Sequence, residues 1–121
     1  MNLRTGIDLI ENSRIKEAVE RHGERFLSRI FTEMELRDCH GRIPSLAARF
    51  AAKEAVSKAL GCGIGNVSWL DIEVRSGENK APYLVLHGEG EKIAKELGLT
   101  NWSLSLSHTE EHAIAFVVAI S

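Results

Sequence analysis

Several absences narrow what this chain can do. No apolar run approaches the ~20 residues that a membrane-spanning helix needs, so a transmembrane protein is not expected. The opening residues, MNLRTGIDLIENSR, place acids inside their apolar stretch, which does not fit a secretory signal. Cysteine is scarce: Cys39 and Cys62 have no zinc-type spacing, and they fit reduced thiols of a cytoplasmic protein. Proline-rich linkers, low-complexity segments and internal repeats are missing too. There is no excess of basic charge, and a net charge of -2 argues against general nucleic-acid binding.

What remains is ordinary globular material. Apolar residues make up 44% and charged residues 26% of 121 residues, so one domain over 1–121 is the default expectation. LRTGIDLI (3–10) reads as a strand with Asp8 inside an apolar run. Asn12 or Ser13 can cap a helix to about His22, and a second helical piece covers about 24–31. Thr32 and Glu35 have capping-box spacing and open a short helix toward Cys39. Pro44 and Ser45 start a long helix that ends at the glycines 61, 63 and 65. WLDIEVR (69–75) and YLVLH (83–87) read as a hairpin around the turn GENKAP. EGEKIAKELG (89–98) is an amphipathic helix. WSLSLSH (102–108) alternates, with Trp102, Leu104, Leu106 and His108 opposite three serines, and HAIAFVVAI (112–120) is apolar enough to be buried on both faces. The order condenses to β-ααα-ββ-α-ββ, an α+β fold with helices packed on a largely antiparallel sheet.

The long helix, SLAARFAAKEAVSKALG (45–61), carries the first functional signal. At about 100° per residue, Ala48, Ala51, Ala52, Ala55, Val56, Ala59 and Leu60 share one side. Arg49, Lys53, Glu54, Ser57 and Lys58 share the other, with Phe50 among them. An aromatic set among cations is unusual on a solvated face, and the arc suits an anionic ligand.

Asp8 alone reads as an edge-strand carboxylate facing water, and Glu54 alone as a solvated partner of Lys58. Together they suit magnesium, completed by phosphate oxygens and waters, with Lys58 touching the same phosphate. His108 is either a structural residue at a strand end or a phosphate contact. The spacing of His108 and His112 invites zinc, but no Glu follows the first His and the segment reads as a turn. Arg14, Arg21, Arg25 and Arg29 share one stripe if their helix is continuous across Gly23. That stripe is either a solvated face or a docking surface for an acidic partner.

Three motifs in register resemble the small bacterial 4′-phosphopantetheinyl transferases, the holo-[acyl-carrier-protein] synthase family. They are Gly6-Ile7-Asp8 followed by Arg14; Phe50, Lys53-Glu54-Ala55 and Lys58-Ala59; and Ser105-Leu106-Ser107-His108-Thr109 before an apolar strand. The resemblance implies the 4′-phosphopantetheinyl transferase fold. It also implies transfer of the phosphopantetheine arm of coenzyme A to a serine of apo-acyl carrier protein, with adenosine 3′,5′-bisphosphate as the other product. It implies magnesium on Asp8 and Glu54, catalysis by Asp8, Glu54 and Lys58, and coenzyme A phosphates on Arg49, Lys53, Lys58 and His108. Phe50 would shape the pocket wall. Arg14 and its basic neighbours would dock the acidic carrier protein, and a homotrimer is expected. The general base is either Glu54 or a metal-held water. A magnesium-dependent phosphohydrolase and a non-catalytic nucleotide-binding protein are the rival readings. One position departs from the pattern: where the family's turn reads N-G-x-P, this chain has Asn79-Lys80-Ala81-Pro82, and Lys80 is placed to add a phosphate contact.

Overall fold

The computed structural model describes residues 2–121. Strand β1 (Leu3–Glu11) leads into four helices, α1 (Asn12–His22), α2 (Glu24–Ile30), α3 (Glu33–Cys39) and α4 (Ile43–Leu60). The hairpin β2 (Ile72–Ser76) and β3 (Pro82–Leu86) follows, then α5 (Gly88–Glu96), β4 (Asn101–His108) and β5 (His112–Ile120). Four helices, not three, therefore separate the first two strands.

Local chemistry explains most boundaries. Gly23, at φ 51°, takes a left-handed turn between α1 and α2. The expected capping box opens α3: Thr32 Oγ1 accepts from the Glu35 amide, and Glu35 Oε1 accepts from the Thr32 amide. Pro44 sits in the first turn of α4, where its missing N–H costs nothing, and Gly61 ends the helix at φ 78°. The segment 69–71, expected as strand, is a 3₁₀ turn instead. Ser68 and Asp71 cap it reciprocally, and that turn chemistry overrides the apolar alternation.

Strands β1, β5 and β4 form a three-stranded antiparallel sheet with β5 in the centre, and β2–β3 forms a separate two-stranded sheet. Helix α4 lies on the inner face of the three-stranded sheet, against β1 and β5. Small side chains make this close approach possible: Ala113, Ala115, Val117 and Ala119 of β5 face Ala51, Ala52, Ala55 and Ala59 of α4 in one buried core. The outer face is open in the single chain. Leu3, Ile7 and Leu9 of β1 and Phe116 and Ile120 of β5 are exposed there, and their register sets Ile7 opposite Phe116 and Leu3 opposite Ile120. β5 is thus buried on one face within the chain, not on both. Strand β4 alternates as expected, its serines exposed and Trp102, Leu104 and Leu106 half-buried. Among the described residues, no helix is long and apolar enough to cross a membrane.

Candidate active site

Asp8, on the inward row of β1, is brought to the solvent-facing side of α4 near its C-terminal half. The Lys58 ammonium donates to Asp8 Oδ1 at 3.1 Å and to the Ile7 carbonyl at 2.9 Å. Glu54 lies one helical turn before Lys58. Partial burial pushes the Glu54 carboxyl above the usual carboxylate range, and the neighbouring charge of Asp8 pushes it the same way. Lys58 and Arg14 oppose that shift. Asp8, Glu54, Lys58 and Arg14 therefore share one electrostatic site, drawn from β1, α4 and α1.

Two carboxylates that repel each other form a hard-oxygen donor set suited to a divalent cation. No third Asp, Glu, His or Cys joins them among the described residues. A cation held here would complete its shell with water or with ligand oxygens, which fits magnesium engaged with a phosphate.

A second site opens at the other end of α4. A cleft of about 490 Å³ is lined by residues of α3, α4, β2, β3 and β4 and of the α3–α4 and β2–β3 turns, among them Arg42, Ser45, Arg49, Ser76, Lys80 and His108. Arg49 donates to the Val74 carbonyl at 3.2 Å and to Ser76 Oγ at 2.8 Å, so hydrogen bonds to β2 fix its guanidinium. The one carboxylate in the cleft, Asp38, accepts from the Ser76 amide at 3.0 Å. Three permanent cations thus face a single, already occupied acid, which is an anion-binding arrangement.

Lys53 is not part of either site. Its side chain is fully buried, and its ammonium donates to Glu35 Oε1 at 2.7 Å and to the carbonyls of Trp69 and Ile72. All three donors are spent inside the protein, so none is left for a coenzyme A phosphate. Burial lowers the Lys53 pKa, opposed by the Glu35 charge beside it. The assumption that failed was a solvated polar arc on α4. The turn at 69–71 and strand β2 cover that arc, leaving Arg49, Lys53 and Ser57 buried with the alanines. Glu35, which the sequence marked only as a capping residue, is the unforeseen partner. It also accepts from the Val74 amide at 2.8 Å, tying α3, α4 and β2 together.

Comparison with known proteins matches this arrangement to one family. Residues 4–117 fit the model of the 4′-phosphopantetheinyl transferase superfamily. The chain belongs to that superfamily. The holo-[acyl-carrier-protein] synthase of Herpetosiphon aurantiacus is 50% identical over 125 residues, covering 98% of each chain. That of Dehalococcoides mccartyi is 52% identical over 117 residues, covering 97% of this chain and 98% of the other. The crystal structure of the Helicobacter pylori holo-[acyl-carrier-protein] synthase in complex with coenzyme A superposes with a TM-score of 0.88 at 36% identity, over 96% of this chain and 99% of that one.

Two further features of this superfamily member depart from the expected pattern. Phe50 does not wall the cationic cleft. It stacks on Trp69, with ring centroids 4.6 Å apart at 30°, and lines a different groove of about 470 Å³ with His22, Arg25, Phe26, Arg29 and Ile30. The arginine stripe is broken at Gly23 into two adjacent patches. Arg14 and Arg21 line one with His22, and Arg25 and Arg29 line the other, also with His22.

Proposed function

We propose that this superfamily member transfers the 4′-phosphopantetheine arm of coenzyme A to a serine hydroxyl of an apo-acyl carrier protein, releasing adenosine 3′,5′-bisphosphate. The observation that carries this reading is one helix serving two charged sites: Arg49 in the cationic cleft, and Glu54 with Lys58 beside Asp8, where two carboxylates suit a divalent cation.

Asp8 and Glu54 would hold magnesium, which supplies neutralisation of diphosphate charge as the leaving phosphate departs. Lys58, its ammonium positioned by the Ile7 carbonyl and Asp8, stabilises the charge that develops on the same phosphate. Arg49 and His108 bind nucleotide phosphates in the cleft. Lys58 is about half exposed and Asp8 about one-fifth, so the carrier's serine can reach the phosphorus from solvent.

The acidic carrier would approach over α1 and α2. Arg14 adjoins the carboxylate pair, and the Phe26–Phe50–Trp69 groove rimmed by Arg25 and Arg29 offers apolar contact beside charge. The open apolar face of β1 and β5 supports assembly into a homotrimer, and reduced Cys39 and Cys62 fit a cytoplasmic setting.

Intact-mass analysis of an apo-carrier protein incubated with this chain, magnesium and coenzyme A tests the reading. A mass gain of one phosphopantetheine supports it. Free phosphopantetheine with unmodified carrier points to a phosphohydrolase, and an unchanged mixture points to a nucleotide-binding protein without turnover.

A further inference from the structure

The turn between β2 and β3 carries a feature that the transfer chemistry does not require. Asn79 and Lys80 are both left-handed, at φ 56° and 60°. Glycine adopts that conformation freely and asparagine tolerates it, whereas a lysine does so rarely. The turn is nonetheless closed by its own bonds: the Gly77 amide donates to the Ala81 carbonyl at 2.8 Å, and the Lys80 amide donates to the Gly77 carbonyl at 3.1 Å. A side chain kept in such a backbone calls for a role. Lys80 lines the cationic cleft together with Arg42, Arg49 and His108, and it enters from the β2–β3 turn. It is in no ion pair among the described residues.

The anion that the cleft takes follows from the layout, on the reading that coenzyme A is the substrate. The bond that breaks lies in the diphosphate, which belongs at Asp8, Glu54 and Lys58. The cleft at the far end of α4 is then left for the other phosphate, the monoester on the ribose 3′ position. We propose that Lys80 is a specificity-determining cation of this chain that reads the ribose 3′-phosphate, gripping it from the hairpin while Arg49 and His108 hold it from α4 and β4. A dianionic monoester between converging cations gains charge-assisted hydrogen bonds that a bare hydroxyl cannot replace.

The test compares coenzyme A with 3′-dephospho-coenzyme A as substrates for the parent and for Lys80→Gly and Lys80→Gln. Lys80→Gly relieves the backbone, so its melting temperature should not fall, and any kinetic loss is then a loss of recognition. KM for coenzyme A should rise roughly five- to tenfold in both variants, with kcat retained, the change expected of one lost charged contact. KM for 3′-dephospho-coenzyme A should stay at the parent value. Calorimetry with adenosine 3′,5′-bisphosphate should show the same weakening. If both substrates shift together, or if KM for coenzyme A does not move while the parent still prefers it, Lys80 does not read the phosphate and the cleft assignment stands. If the parent itself treats the two substrates alike, the cleft does not hold the 3′-phosphate, and the site reading falls with the proposal.

Discussion

Gly6 lies against the carbonyl of Ala55 so closely that a Cβ at Gly6 would fall 1.8 Å from that oxygen. The contact is backbone on one side, so no side-chain rotation can relieve it. It is also where β1 meets α4, and it sets Asp8, two residues on, beside Glu54 and Lys58. Gly6→Ala should therefore destabilise the fold by about 3 kcal/mol, the upper part of the range for overpacking, measured by urea unfolding. Any folded fraction should have lost transfer activity, because β1 must move away from α4. Full stability in the variant would show that the two elements have slack.

The raised pKa of Glu54 gives a pH dependence with a definite sign. Burial and then Asp8 favour the protonated carboxyl in the folded state. Stability from this group is fully present below the ordinary Glu value near 4.3 and is lost as pH rises through the raised folded value. In metal-free buffer, Glu54→Gln should then raise the melting temperature at pH 7 and leave it unchanged near pH 4. Magnesium should stabilise the parent at pH 7, and progressively less as acid protonates Glu54. The Gln variant should show little magnesium stabilisation and no transfer.

The buried Lys53–Glu35 pair predicts a non-additive pair of mutations. Lys53→Met leaves Glu35 charged and unpaired in the core, a loss of about 3–5 kcal/mol. Lys53→Met combined with Glu35→Gln removes both charges and should cost less than the sum of the two single changes. A double-mutant cycle by chemical denaturation measures this. Additive costs would mean that the two groups are not coupled.

Arg14 separates docking from chemistry. It sits on α1 close enough to Glu54 to lower its proton affinity, yet its own side faces the carrier's proposed approach. Arg14→Glu should weaken carrier dependence about tenfold or more, with coenzyme A binding little changed. Added salt should slow the parent toward the variant, since a Debye length of about 8 Å at physiological ionic strength shortens further. Kinetics in the carrier at two salt concentrations, with calorimetry for coenzyme A, decide it. Loss of coenzyme A binding alone would move Arg14 into the nucleotide site.

The apolar outer face makes assembly measurable. The parent should sediment as a trimer, and Phe116→Asp, or Ile7→Asp opposite it, should shift it toward monomer. A monomeric parent with full activity would rule the trimer out.

The sequence made some of this legible and hid the rest for identifiable reasons. The turn residues and caps were readable because their chemistry is local: Thr32 with Glu35, Pro44 and Gly61 all mark ends that the structure keeps. Asp8 stood out as a carboxylate in an apolar run and Glu54 with Lys58 as a charged pair on the polar arc of the long helix, and the fold does gather them. Lys53 was misread because helical periodicity assigns a face without saying what covers it. Only the tertiary path of 69–74 over α4 reveals that this lysine is interior. Phe50 failed for the same reason, since Trp69 is 19 residues away and comes to it only through that path. The exposed face of β5 looked like core because an unbroken apolar run does not say which of its faces the rest of the chain covers.

Arg49, Glu54 and Lys58 are fixed on one continuous helix, α4. Length and direction cannot be adjusted separately along such an element. A residue inserted between Arg49 and Glu54 would add only about 1.5 Å, but would swing the carboxylate about 100° away from β1. Restoring the direction takes close to a full turn, which adds about 5.4 Å. The direction in which Glu54 and Lys58 point toward β1 can therefore change only in coarse steps, so the meeting of the carboxylate pair is fixed by the backbone of a helix before any side chain is consulted.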